Sequence, residues 1–108
     1  MKLDFQDTGY LHDFRASECV PSDWTPDAED WLIEFIAYDC SGCKTQRERD
    51  IYERGLDYEC IVKVVHDPVD GDCVLEEIEL ARFAVAYASE AEEMLQRCAD
   101  AVCGDEEA

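Results

Sequence analysis

Hydrophobic and polar positions change rhythm several times along this chain, and each rhythm predicts an element. Leu3 and Phe5 alternate with charged residues, Asp7-Thr8-Gly9 supplies turn chemistry, and His12, Phe14 and Ala16 alternate again, which predicts an opening β-hairpin. Pro21 and Pro26 bracket a loop. Thr25-Pro26-Asp27 then has the form of an N-cap, a first-turn proline and a first-turn acid, and Ala28, Trp31, Leu32, Phe35 and Ile36 come next at helical spacing. That spacing predicts an amphipathic helix over 26–40, with Asp27, Asp30 and Glu34 together on its polar side.

Gly42 is the expected stop of that helix. Thr45 with Glu48 forms a capping-box pattern for a second helix over about 45–56, which Gly55 terminates. The β-branched run from Tyr58 to His66 predicts a largely buried strand, and residues 67–72 a turn. Residues 74–80 fit either a hairpin partner of that strand or the first turns of a C-terminal helix. From about 81 to 103 one stripe of Phe83, Ala84, Tyr87, Ala88, Ala91, Met94, Leu95, Cys98 and Val102 predicts that long helix, which Gly104 stops. The expected architecture is an α+β domain over 1–104, with an antiparallel sheet of about four strands packed on two to three helices, and a short acidic tail at 105–108.

Charge sharpens this picture more than size does. The 108 residues carry 28 Asp and Glu against nine Lys and Arg, a formal net charge of −19. Nearly half the residues are apolar, so the chain buries enough surface to fold despite that charge. Residues 1–40, 57–81 and 82–108 are all strongly acidic, and only 41–56 is mildly basic through Lys44, Arg47, Arg49 and Arg54. Direct nucleic-acid binding needs a basic footprint that displaces counterions from phosphates, and this one is interleaved with acids, so DNA and RNA are excluded as ligands. The natural partner of such a surface is a basic, nucleic-acid-binding protein or complex. No apolar run approaches the roughly 20 residues of a membrane-spanning helix, and Asp4 and Asp7 interrupt any signal-peptide pattern, so a cytoplasmic location without membrane contact is expected. The cysteines, at 19, 40, 43, 60, 73, 98 and 103, are odd in number and are read as reduced thiols.

The sharpest local motif is Cys40-Ser41-Gly42-Cys43, whose spacing suits two ligands of a zinc ion or a redox dithiol. Residues 32–44, Leu-Ile-Glu-Phe-Ile-Ala-Tyr-Asp-Cys-Ser-Gly-Cys-Lys, resemble the strand and active-site turn of thioredoxin-like proteins. The resemblance implies Cys40 as the attacking thiol and Cys43 as the resolving one. The chain departs from that family in carrying Asp39 where a tryptophan precedes the first cysteine, and an adjacent acid raises a thiol pKa. Asp67, Asp70 and Asp72 around Gly71 have the look of a cation loop, but the glutamate that closes an EF-hand would fall at Ile78.

Carboxylates three or four apart on a helix lie about 5–6 Å apart between Cβ atoms, so Asp27, Asp30 and Glu34, and likewise Glu90 and Glu93, are expected to form spaced rows. Such rows imitate a phosphate backbone, which carries one charge per ~1.7 Å of duplex axis. The leading functional reading is a binding protein that needs no cofactor: a small acidic inhibitor that occludes the basic channel of a nucleic-acid-handling partner. Its expected interface is Asp27, Asp30, Glu34, Glu76, Glu77, Glu79, Glu90 and Glu93, with exposed tyrosines as anchors. In charge and size it resembles the DNA-mimic proteins that phages use against restriction and CRISPR systems. The alternatives are a thioredoxin-like oxidoreductase using Cys40 and Cys43, a structural module stapled by zinc through the same pair, and a surface adapted to high salt.

Overall fold

A computed structural model describes residues 2–24, 26, 28–42, 45–66 and 76–103. Five strands, β1 (Gln6–Asp7), β2 (Phe14–Cys19), β3 (Trp31–Asp39), β4 (Tyr58–His66) and β5 (Glu76–Val85), form one sheet in the order β1-β2-β3-β4-β5. Every neighbouring pair is antiparallel, so the sheet is a simple meander. Two α-helices, α1 (Gln46–Glu53) and α2 (Ala88–Cys103), complete the α+β architecture, and short 3-10 turns stand at Ala28–Asp30 and Cys40–Gly42. The sheet therefore has one strand more than expected.

The main correction concerns residues 26–40. Among its described residues, Ala28–Asp30 makes a 3-10 turn, Cys40 opens a second one, and Trp31–Asp39 is the central strand β3, paired along its length with β4 and along most of it with β2. The physical reason lies in the composition of a strand covered on both faces: its apolar residues run nearly without interruption and match a helical template as well as an extended one. Pairing decides between the two templates. Ile33, Phe35 and Ala37 are fully buried on one face, and Ile36 is buried on the other beside its β4 partner Ile61. Ile33 and Ala37 lie off the helical stripe altogether.

A second correction shortens the C-terminal helix. Residues 81–85 belong to β5, where Phe83 sits opposite Cys60 and Val85 opposite Tyr58, and α2 begins only at Ala88. The same pairing settles Glu76 to Leu80 as strand. A bulge interrupts the β4–β5 ladder, since Val62 pairs with Ala81 and Lys63 with Glu79, which leaves Leu80 as the extra residue.

Local signals carried through elsewhere. Thr45 Oγ1 accepts from the Glu48 N–H at 3.1 Å while Glu48 Oε1 accepts from the Thr45 N–H at 3.2 Å, so the capping box starts α1 as expected. Gly55, at φ 82°, succeeds the helix in the left-handed conformation that glycine adopts freely. The opening hairpin forms, although β1 is only two residues long and the connection spans 8–13. Gly42 plays a different part from a helix stop: a Cβ there would lie 2.7 Å from Leu11 Cδ1, the end of an exposed side chain, so the turn after β3 comes close to the hairpin loop at this glycine.

The core lies between α2 and one sheet face. Ala91, Leu95 and Ala99 of α2 pack with Ala16, Ile33, Phe35, Ala37, Cys60, Val62 and Val64, and Leu3 joins them from the N-terminal segment. The Leu3 N–H donates to Gln96 Oε1 at 2.8 Å, which pins that segment to α2. Helix α1 packs against β4, and its Arg47 reaches Glu59, whose alternation with Cys60 puts it on the opposite face. No helix among the described residues is long and apolar enough to cross a membrane.

Candidate interaction surface

The carboxylates expected to form an interface fall into three groups. Asp27 lies outside the described residues. Asp30 is half-buried in the 3-10 turn, and Glu34 is half-buried within β3, opposite Lys63 and 3.9 Å from Arg15. With Asp30 in a 3-10 turn and Glu34 on a strand, these two make no helical row, and Glu34 is engaged inside the sheet. In α2, Glu90 Oε1 accepts from the N–H groups of Ala86 and Tyr87 at 3.2 and 3.3 Å and so caps the helix start, and Glu93 pairs with Arg97 at 3.0 Å. Glu92 and Asp100 add exposed acids to this helix.

The third group is on β5. Glu76, Glu77 and Glu79 are all exposed. Being the last strand in the order, β5 is an edge, and among the described residues no backbone group pairs with its outer side. Alternation splits its side chains between the two faces. Glu77 and Glu79 share a face with Lys63, which donates to Glu77 at 3.3 Å, whereas Glu76 and Ile78 project to the face that carries the core. Arg82 binds Glu79 through two nitrogens and turns inward to Glu59 at 2.9 Å. That contact holds the Glu79 carboxyl below the usual range and the guanidinium above its own. Lys63 and Arg82 thus bind the rim glutamates from the sheet side, and Arg82 also reaches Glu59 beneath them.

Apolar residues are exposed on the same edge. Ile78 is 54% exposed and Leu80 44% exposed. Together with Val20, Trp24, Trp31 and Val64 they line a groove of about 240 Å³. Trp31 stacks on the His66 ring with centroids 4.5 Å apart, and its indole Nε1 is buried without a hydrogen-bond partner among the described residues. Hydrophobic periodicity does not single out this groove, because its residues come from four separate stretches of chain. Of the tyrosines expected as anchors, Tyr10, Tyr52 and Tyr87 are exposed.

Buried polar groups gather at the opposite end of β3. Asp13 Oδ1 accepts from the Asp39 N–H at 2.6 Å, Asp39 Oδ1 accepts from the Ser41 N–H at 2.9 Å, and Asp39 Oδ2 lies 2.9 Å from His12 Nδ1. Burial pushes the Asp39 carboxyl upward, but the bonds from Ser41 and His12 outweigh it and leave the pKa lowered. These contacts satisfy the turn that carries Cys40, whose own N–H donates to Asp57 O at 2.8 Å.

Cys40 is fully buried at the end of β3, and Cys43 lies outside the described residues. Burial first, then the negative charges of Glu59, Glu48 and Asp39, push the Cys40 thiol up to about 11. Burial likewise pushes Cys60 up to about 12. An attacking thiol needs the reverse environment, exposed and electropositive. Among the described residues no three His, Cys, Asp or Glu side chains come together to hold a metal ion. The aspartates of the cation-loop reading, at 67, 70 and 72, lie outside the described residues. At pH 8, iodoacetamide is expected to alkylate exposed Cys19 at least about a hundredfold faster than Cys40 or Cys60, because a thiol with a pKa near 11 holds about one thiolate in a thousand. Peptide mapping by mass spectrometry reads this directly, and Cys40 labelling as fast as Cys19 would restore it as a nucleophile.

No family model, no curated protein and no solved structure matches this chain.

Proposed function

We propose that this chain is a small acidic binding protein that docks on, and occludes, the basic nucleic-acid-binding surface of a partner. The observation that carries the reading is the edge of β5, where three exposed glutamates are interleaved with exposed Ile78 and Leu80 beside an apolar groove. A coat that serves only solubility has no use for apolar side chains among its charges, whereas a docking surface combines apolar anchors with a charged rim. Glu90, Glu92 and Glu93 add exposed carboxylates on α2, where Glu92 and Glu93 stand beside Lys2, Leu3 and Phe5. Carboxylates in this reading take the place of phosphates, and the long-range field of a chain at −19 speeds encounter with a cationic channel. Glu34, held within the sheet, is removed from the interface.

The oxidoreductase alternative keeps its local geometry, a strand running through a turn into a helix, but the buried Cys40 with its raised pKa speaks against it. The test uses the immobilised chain to capture partners from a nuclease-treated extract of the source organism, and then assays the purified partner for nucleic-acid binding. Addition of the chain is expected to displace nucleic acid, and the inhibition is expected to weaken at least about tenfold between 0.05 and 0.5 M salt, as screening demands. Replacing Glu76, Glu77, Glu79, Glu90 and Glu93 by glutamine is expected to remove the inhibition. A complex indifferent both to salt and to those replacements would sink the proposal.

A further inference from the structure

We propose that the outer edge of β5 and the adjoining groove together receive an extended partner segment in which apolar and basic residues alternate, added as a sixth strand. This inference rests on the acidic-binding reading and specifies its mode of attachment.

Three features of β5 converge on it. The first is the backbone: ten residues of strand present unpaired donors and acceptors along one side, among the described residues, and an extended peptide pairs with such an edge without unfolding anything. The second is the distribution of side chains between faces. A strand laid beside β5 sends alternate side chains to opposite faces. On the core face they meet Ile78, Leu80 and Trp24 at the mouth of the groove, which takes apolar groups. On the other face they meet Glu77 and Glu79, which take cations. A single ionised carboxylate has about four acceptor sites, so the contacts from Lys63 and Arg82 do not saturate these two. The third is the neighbouring shape. The Leu80 bulge turns its side chain into the groove lining, which places an apolar contact beside the glutamate pair.

A second copy of the chain is the competing occupant. Antiparallel pairing of two β5 edges about Leu80 and Ala81 would set Glu79 of each against Arg82 of the other. Arg82, however, is already committed to Glu79 and Glu59 of its own chain, the bulge disrupts the ladder at the centre of that pairing, and each copy brings a charge of −19. A basic segment needs no exchange of the Arg82 contacts and brings no like charge.

The probe is a fluorescein-labelled peptide of alternating lysine and valine, about seven residues long, within the usual length of a strand, titrated with the full chain and read by fluorescence anisotropy. A peptide with the same residues in two blocks is expected to bind at least about tenfold more weakly, because only alternation serves both faces. Methylating the backbone nitrogens of either the valines or the lysines removes the donors of one edge, so one of the two methylated peptides is expected to lose at least about tenfold. The paired exchange Ile78→Ser with Leu80→Ser, at exposed positions that leave the core intact, is expected to weaken binding by a similar factor.

Equal binding of the block peptide, or of both methylated peptides, would show adsorption by charge alone and overturn the inference. Sedimentation as a dimer that the Ile78→Ser and Leu80→Ser exchange dissociates, with no peptide binding, would assign the edge to a second copy. If the captured partner is still inhibited in a salt-sensitive way by the Ile78→Ser and Leu80→Ser chain, the acidic-binding reading stands and the strand-addition mode falls.

Discussion

Ile33→Ala lowers the stability of the chain by about 3 kcal/mol, whereas Leu32→Ala costs less than half as much. Ile33 is fully buried in the centre of the core, between its β2 neighbour Glu18 and its β4 neighbour Val64, and its truncation leaves a cavity that the flanking strands cannot close. Leu32 lies on the opposite face and keeps partial contact with water. The comparison bears on the fold itself, because helical periodicity would place Leu32 on the buried stripe and Ile33 off it. A domain of this kind has about 5–15 kcal/mol in total, so the Ile33 variant shifts the urea midpoint visibly. Urea melts monitored by circular dichroism provide the measurement, and a larger loss at Leu32 than at Ile33 would contradict the extended register of β3.

Arg82→Leu is expected to cost about 2 kcal/mol, less than the full penalty of breaking a buried ion pair because Arg82 is partly exposed and Glu59 retains Arg47. The loss comes mainly from Glu59, a carboxylate buried on β4 that is left with one cation in place of two. Combining Arg82→Leu with Glu59→Gln therefore recovers at least about half of the loss, since the neutral amide no longer needs the charge. Thermal melts of the wild type, the two single variants and the double variant close the cycle. Losses that simply add would show that Glu59 and Arg82 act independently and that Arg82 contributes through packing alone.

The Glu59 and Arg82 pair also bears on how the edge works. By drawing Arg82 inward, Glu59 keeps a guanidinium from projecting past the rim, so the glutamates of β5 face outward in the company of Ile78 and Leu80. Charge inside the sheet thereby shapes charge at its border. The acids of the sheet and its surroundings are put to different uses: Glu34 and Glu59 are engaged with cations within the sheet, Asp13 and Asp39 hold a turn, Glu90 caps a helix, and on the edge of β5 Glu77 and Glu79 stand exposed, each against one cation, beside Ile78 and Leu80.

Glu59 shows how a signal can be present in the sequence and still go unread. A lone acid within the apolar run from Tyr58 to His66 marks a strand with a charge to bury, but its two arginine partners stand 12 residues before it and 23 after it. The groove left less of a trace. Trp24, Trp31, Ile78 and Leu80 are ordinary apolar residues in their own segments, and only the meander places them side by side.

Features governed by short-range forces are legible in the amino-acid order. The Thr45 and Glu48 capping box, the Gly55 stop, the β-branched run of β4 and the apolar stripe of α2 from Ala88 onward all act over a few residues, and the structure retains each of them. The acid excess, a property of composition, is equally plain. Packing in three dimensions was needed to make Trp31 to Asp39 a central strand, to extend β5 through Ala81 to Val85, to enclose Cys40 and to leave β5 as an edge. Each of these depends on pairing between segments far apart in the chain, where two templates fit the local pattern equally well and the hydrogen bonds and burial supplied by a neighbouring strand select one of them.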